Sequence, residues 1–272
     1  MGVLLPKIAQ KNNFRNEEYI YMGQNNDFSQ KELLPPPELI HYVGGDFQKV
    51  GEEFLKYFIE IGNLQRHESI LDVGCGVGRM AVPLTKYIND KALYHGFDIF
   101  QDGISWCQSH ISPTYKNFHF QHANIYHQFY NPNGTIKASE FQFPYEDDTF
   151  DFIYLTSVFT HLLEKELEHY VSEISRVIKQ DGRCLLTLFL LNPDSSYYLT
   201  SRLSTLPFYH KMDNCYIVNK DIPEFAVAYP EEWMLNLLSQ YNFEVTKPIY
   251  YGSWCGRTTF TSYQDILVIR KK

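Results

Sequence analysis

From Ser69 onward the chain alternates short apolar runs with amphipathic stretches, the pattern of βαβ units around a parallel sheet. The runs predict strands over residues 69–73, 94–98, 118–123, 150–155 and 183–190, with closing strands over 243–249 and 264–270. The 183–190 run is apolar throughout, as a strand buried on both faces requires. Helices are predicted over 78–87, 104–110, 165–178 and 230–241; in the third, Leu167, Tyr170, Val171, Ile174 and Ile178 line one face. A further helix over 52–61, with Phe54, Leu55, Phe58, Ile59 and Ile61 at helical spacing, leads into this domain.

A proline run precedes the alternation, and two stretches break it. Pro35-Pro36-Pro37 combines fixed φ with missing donors and reads as a stiff extended spacer, outside helix and sheet, that sets off a polar, Asn- and Gln-rich arm over 1–34. Residues 125–140, containing Asn131-Pro132-Asn133-Gly134, stand where a crossover helix is expected and read as a turn-rich insertion. Residues 192–229 are rich in aromatics (Tyr197, Tyr198, Phe208, Tyr209, Tyr216, Phe225, Tyr229), and an excursion of this length in a compact domain reads as a cap, lid or binding segment. The organisation expected is therefore an arm and lead-in helix over 1–68, serving as a candidate lid, and a sheet domain over 69–272 capped by its two insertions.

Composition changes this picture in three places. The 21 Tyr and 20 Phe among 272 residues exceed what a core of this size needs, and many fall in the irregular pieces, which suggests an aromatic substrate pocket over the sheet. The 24 Lys and Arg stand against 32 Asp and Glu, for a net charge of −8, so no global positive field gathers phosphates and a nucleic-acid partner is disfavoured. The five cysteines (75, 107, 184, 215, 255) are scattered, without Cys-x-x-Cys or zinc spacing. With neither a signal-like N-terminus nor an apolar run long enough to span a bilayer, the expectation is a cytoplasmic protein with reduced thiols and neither a metal site nor a membrane contact.

The chemistry starts at Ile70-Leu71-Asp72-Val73-Gly74-Cys75-Gly76-Val77-Gly78-Arg79, an apolar strand running into a glycine-rich turn that opens a helix. Such a turn lets backbone N–H groups approach a nucleotide-like or anionic group. The spacing is Asp-x-Gly-x-Gly-x-Gly, unlike the Gly-x-Gly-x-x-Gly of dinucleotide enzymes. Asp98 ends the next strand about 20 residues on, where a carboxylate can accept from both hydroxyls of a ribose. Here the sequence resembles the class I S-adenosylmethionine-dependent methyltransferases over about 70–190. The resemblance implies a Rossmann-like, doubly wound α/β fold with a mostly parallel seven-stranded sheet whose last strand is antiparallel. It implies S-adenosyl-L-methionine as cofactor, with Gly74, Gly76 and Gly78 against its amino-acid part, Cys75 lending its backbone and Asp72 as the orienting acid. Asp98 matches the ribose carboxylate and Ile99 the apolar neighbour of the adenine. Asn124, followed by Ile125, stands where an acidic residue often meets the adenine amino group, and Ser157 lies in the loop after the fourth strand.

Methyl transfer from a sulfonium is an in-line displacement that needs positioning and, for a hydroxyl or ammonium acceptor, a base. His161, after the fourth strand at the carboxyl edge of the sheet, is the candidate base; a backbone-bonding role at a helix start is the alternative. Tyr42-Val43-Gly44-Gly45 reads either as a turn or as a flap closing over the cofactor. The activity expected is methyl transfer to an O- or N-nucleophile of a small-molecule acceptor, beside a non-catalytic S-adenosylmethionine-binding module and an NAD-type oxidoreductase.

Overall fold

The computed structural model describes residues 33–128 and 130–272; the N-terminal arm as far as residue 32 lies outside them. Two helices come first, α1 (Pro37–Val43) and α2 (Phe47–Glu60). Strand β1 (Ile70–Val73), a short α3 (Ala81–Leu84), β2 (Tyr94–Asp98), α4 (Gln101–His110) and β3 (Phe118–His122) follow. Then come β4 (Phe150–Leu155), α5 (Glu164–Val177), β5 (Ile178–Leu188), β6 (Leu190–Leu191) and α6 (Pro193–Thr200). The chain closes with β7 (His210–Met212), β8 (Cys215–Ile217), β9 (Val227–Pro230), α7 (Glu231–Gln240), β10 (Phe243–Tyr250) and β11 (Asp265–Lys271).

Seven strands form the main sheet in the order β10-β11-β5-β4-β1-β2-β3. β1 pairs in parallel with β2 (Ile70 opposite Tyr94) and with β4 (Ile70 opposite Phe152), and the last strand, β11, runs antiparallel between β5 and β10. The order therefore reverses at β1 and β4, the switch point beyond whose carboxyl ends open α/β sheets bind ligands. All four residues of β1 are buried because both faces are covered. On one face α2, α3 and α4 send Phe58, Leu84 and Ile104 against Tyr94, Phe118 and Tyr154; on the other, α5 and α7 send Leu167, Ile174 and Leu238 against Leu71, Ile153 and Leu186.

Several expectations change. Pro37 is not a spacer: with Pro36 as N-cap it opens α1, since a helix's first turn has no use for the missing N–H. α2 starts five residues before the expected 52 because the Asp46 side chain accepts from Lys49 N at 3.1 Å and caps it. The helix expected over 78–87 is regular only at Ala81–Leu84, because Pro83 has no N–H to offer Arg79 O. Residues 192–229 fold into α6 and, with β6, a second sheet in the order β6-β9-β8-β7. Its strands need a core of their own, so Phe208, Trp254 and Phe189 pack together beneath it and Tyr229 turns inward to donate to Leu162 O at 2.8 Å, while Tyr197, Tyr209 and Phe225 stay exposed. The aromatics of 192–229 thus go mostly to structure rather than to a common pocket wall. All five cysteines are free and buried.

Candidate functional site

β1 ends in a turn whose three glycines all take left-handed φ: Gly74 +82°, Gly76 +56° and Gly78 +76°. The turn is hooked onto β2, with Gly74 N and Cys75 N both donating to Phe97 O at 2.9 and 3.1 Å. Asp98, the next residue of β2, completes the hook: its Oδ2 accepts from Gly76 N at 2.7 Å and its Oδ1 from Phe100 N at 2.8 Å. Burial pushes this carboxyl up, opposed by backbone hydrogen bonds from Phe100, Gly76 and Ile99. A Cβ at Gly74 would stand 2.5 Å from Val158 Cγ2 and one at Gly76 2.9 Å from Val43 Cγ1. Gly78 differs. Its missing Cβ makes room for Cys107 Sγ of α4 and for Ile111 just beyond that helix, so this third glycine serves the approach of α4 to the turn. The Cys75 side chain packs against Gly96 of β2, leaving only its backbone to the turn.

Asp72 lies fully buried beneath the turn, with Oδ2 accepting from Tyr94 Oη at 2.6 Å and Tyr154 Oη at 2.9 Å. Among the described residues its Oδ1 has no hydrogen-bond partner. Burial pushes its pKa up to about 7, against the pull of the two tyrosine hydroxyls.

The other residues named from the sequence ring the carboxyl edge. Ile99 is half-buried, Ile125 is buried and bridges to Ile136, and Asn124 is held by its amino end, which donates to Thr135 Oγ1 at 2.8 Å. Ser157, at φ +62°, donates from its backbone to Thr187 Oγ1 at 2.7 Å and meets Gln264 with its hydroxyl. His161 joins a cluster of rings that starts at Asp98. Tyr42 stacks on Phe100 with centroids 3.7 Å apart and meets Tyr130 edge-on at 5.4 Å; Tyr130 meets His161 at 5.5 Å, and His127 lies 6.5 Å from His161. Asp98 adds to burial in raising the pKa of both Tyr42 and Tyr130.

The state of His161 follows from its partner. Its Nδ1 lies 2.8 Å from Glu224 O, and a carbonyl only accepts, so Nδ1 carries the proton. Burial lowers its pKa, so the ring is neutral at pH 7 and Nε2 bears a lone pair. His127 is lowered to about 4 by burial and by His161, and its Nδ1 accepts from Tyr130 N at 3.1 Å. Sequence reasoning passed over Phe100, Tyr130, His127 and Arg79 as site residues. Arg79 had a signal, since it directly follows the third glycine; the others are joined only by folding.

Residues 71–186 match a family model described as a methyltransferase domain. A curated tRNA N(3)-cytidine methyltransferase METTL2 from Gallus gallus is 25% identical over 119 residues, a stretch that is 43% of this chain and 29% of that protein. The chain thus spans under a third of the length of this relative. Among solved structures, a SAM-dependent methyltransferase from Methanosarcina mazei has 20% identity, covers 78% of this chain and 96% of its own, and gives a TM-score of 0.52. A Pyrococcus horikoshii protein gives 0.58 at 16% identity over 87% and 96%. Magnesium protoporphyrin IX methyltransferase from Synechocystis, with bound SAH, gives 0.53 at 16% identity over 86% and 94%. At these identities the structural likeness is one of fold. The matched stretch runs from β1 into β5, across the switch point where the glycine turn and Asp98 meet; over these residues the chain is similar to a methyltransferase domain, in a fold shared with solved S-adenosylmethionine-dependent methyltransferases.

Proposed function

We propose that this protein transfers the methyl group of S-adenosylmethionine to an oxygen or nitrogen nucleophile of a small-molecule acceptor, with His161 as the base. The observation that carries the reading is where His161 stands: it meets Tyr130 from the 125–140 insertion, is held by Glu224 O from the 192–229 insertion, and shares its ring cluster with the neighbours of Asp98. Both insertions thus converge on the neutral imidazole of His161, as walls of an acceptor site would.

The residues present fit the cofactor. The glycine turn offers backbone in left-handed conformations, Asp98 has lone pairs for the ribose hydroxyls, and the open Oδ1 of Asp72 lies below the turn that takes the amino-acid part. Ile99 and Ile125 would flank the adenine, with the Asn124 carbonyl as acceptor for its amino group. When bound, S-adenosylmethionine supplies a methyl already activated by a sulfonium, so the protein contributes orientation, worth up to roughly 7–11 kcal/mol, and proton removal. The acceptor's proton passes to His161 Nε2, and the resulting imidazolium keeps its Nδ1–H bond to Glu224 O.

A tRNA acceptor is the second reading, favoured by the relative from Gallus gallus and opposed by the net charge of −8. The deciding experiment measures S-adenosylmethionine binding by calorimetry and then transfer of a labelled methyl to a panel of small hydroxyl and amine acceptors and to total tRNA. Label on a small acceptor supports the proposal; label on tRNA alone overturns it. Cofactor binding with no transfer to any acceptor would favour a non-catalytic binding module. No described helix is long and apolar enough to cross a membrane.

A further inference from the structure

α1 buries none of its residues, yet its C-terminal end lies against the glycine turn. Leu39 of α1, partly buried, packs against the core formed with α2, α3 and α4, and the C-terminal end of this short helix is held by a few further contacts. Three such contacts are present. Tyr42 stacks on Phe100. Val43 Cγ1 occupies the space that a Cβ on Gly76 would take. Arg79 Nη1, from the residue after the glycine turn, donates to Gly44 O at 2.7 Å and to Val43 O at 3.2 Å. Gly44 and Gly45 both have left-handed φ, +65° and +67°, and join this end of α1 to the capped start of α2, so the segment has a pivot at its root.

We propose that Arg79 is a latch: by binding the carbonyls of Val43 and Gly44 it holds the Tyr42–Gly44 segment closed over the glycine turn and so sets how fast the cofactor leaves. Arg79 is a positioning residue in this role, acting through Tyr42 and Val43. Burial lowers its pKa to about 10, opposed by the charge of Asp72, so it remains a cation at neutral pH and its bonds to the two carbonyls are charge-assisted. Its own carbonyl is anchored from the other side: a Cβ on Gly51 of α2 would lie 2.6 Å from Arg79 O, so α2 packs directly on the residue that bears the latch. The element that carries the pivot thus also buttresses the latch.

The inference rests on the reading of the turn as the cofactor site, and the test separates the two. In the cofactor-free full chain, amide hydrogen exchange across residues 40–46 should quicken by roughly tenfold in Arg79→Ala, the worth of one charge-assisted hydrogen bond at the low end of its range. Arg79→Lys should fall between wild type and Ala, since an ammonium reaches a carbonyl without the guanidinium's fork. The dissociation rate of S-adenosylhomocysteine, followed by displacement, should rise in the same order. Tyr42→Ala should raise it too, and the double variant should rise less than the product of the two, because both act through one closed segment. Unchanged exchange in Arg79→Ala overturns the latch whether or not cofactor binds. Faster exchange with an unchanged dissociation rate overturns its control of the cofactor. Failure of wild type to bind S-adenosylhomocysteine overturns the reading of the site, with the exchange arm still deciding whether the segment is latched. If Arg79→Ala fails to fold by circular dichroism, Arg79→Lys and Tyr42→Ala carry the same comparisons.

Discussion

Asp98 and His161 lie at opposite ends of one ring cluster and should fail differently. Asp98→Ala removes the acceptor for Gly76 N and Phe100 N as well as the lone pairs proposed for the ribose, so cofactor affinity should fall by about 100-fold, as expected for two charge-assisted hydrogen bonds. His161→Ala leaves the turn intact, so the cofactor Kd should hold while kcat falls by roughly 10²–10⁴. Calorimetry on both variants checks this division, and equal losses of affinity would refute it. The protonation of His161 adds a sign. Burial lowers its pKa, so the base is in its working form throughout the neutral range, and the acidic limb of the kcat profile should lie below the ordinary histidine value of about 6.5. A limb at or above that value would point to a different base.

At the level of elements, one buried carboxylate ties the start of the second sheet to the end of the first. Asp265, fully buried at the start of β11, accepts from Leu190 N and Trp254 Nε1 at 2.8 Å and from Gly252 N at 2.7 Å, and Arg257 stands 3.6 Å away. Arg257 in turn donates to Asn192 Oδ1, the cap of α6, at 3.0 Å. This node binds the β10–β11 loop to the strand that leads into the small sheet, and so sets how the 192–229 excursion leaves the main sheet. Asp265→Ala strands three buried donors and a cation together and should cost about 3–5 kcal/mol, read as a lower urea midpoint. A change under 1 kcal/mol would mean that water or a neighbour replaces the carboxylate.

For the whole molecule, the buried acid under the turn makes stability depend on pH in an unusual direction. The folded state raises Asp72 to about 7 from an ordinary value near 4, so its contribution is fully present below about pH 4 and is lost as the pH rises through 7. Asp72→Asn keeps an acceptor for Tyr94 and Tyr154 but has no proton to lose. Relative to wild type, the variant should therefore gain stability between pH 5 and 8, by an amount on the order of 4 kcal/mol at most. Urea unfolding of both proteins across that range measures the difference, and parallel curves would show that Asp72 does not titrate there.

Much of this fold was legible in the chain because local order and burial both follow from short-range patterns. The apolar run through Ile70–Val73, the glycines after it and Asp98 at the end of the next run carry their meaning at spacings of a few to some twenty residues. What proline does depends on position within a turn of helix, so Pro35-Pro36-Pro37 read as a spacer until the structure opened α1 on Pro37. The aromatic surplus was visible as composition, but composition has no direction: Phe208 went to the core of the second sheet and Tyr229 to that of the main sheet, while Tyr42 and Tyr130 went to the ring cluster near Asp98. The sequence by itself determined the sheet domain and the two acids and three glycines of its turn, because those lie on adjacent strands whose pairing the βαβ order dictates. Only the tertiary structure decided that Tyr42 at the end of α1, Tyr130 and His127 of the 125–140 insertion and His161 after β4 meet in one ring cluster, and that Arg79 reaches back 35 residues to Gly44. Loop closures carry no periodic signal, and their partners are chosen by the packing of everything between them.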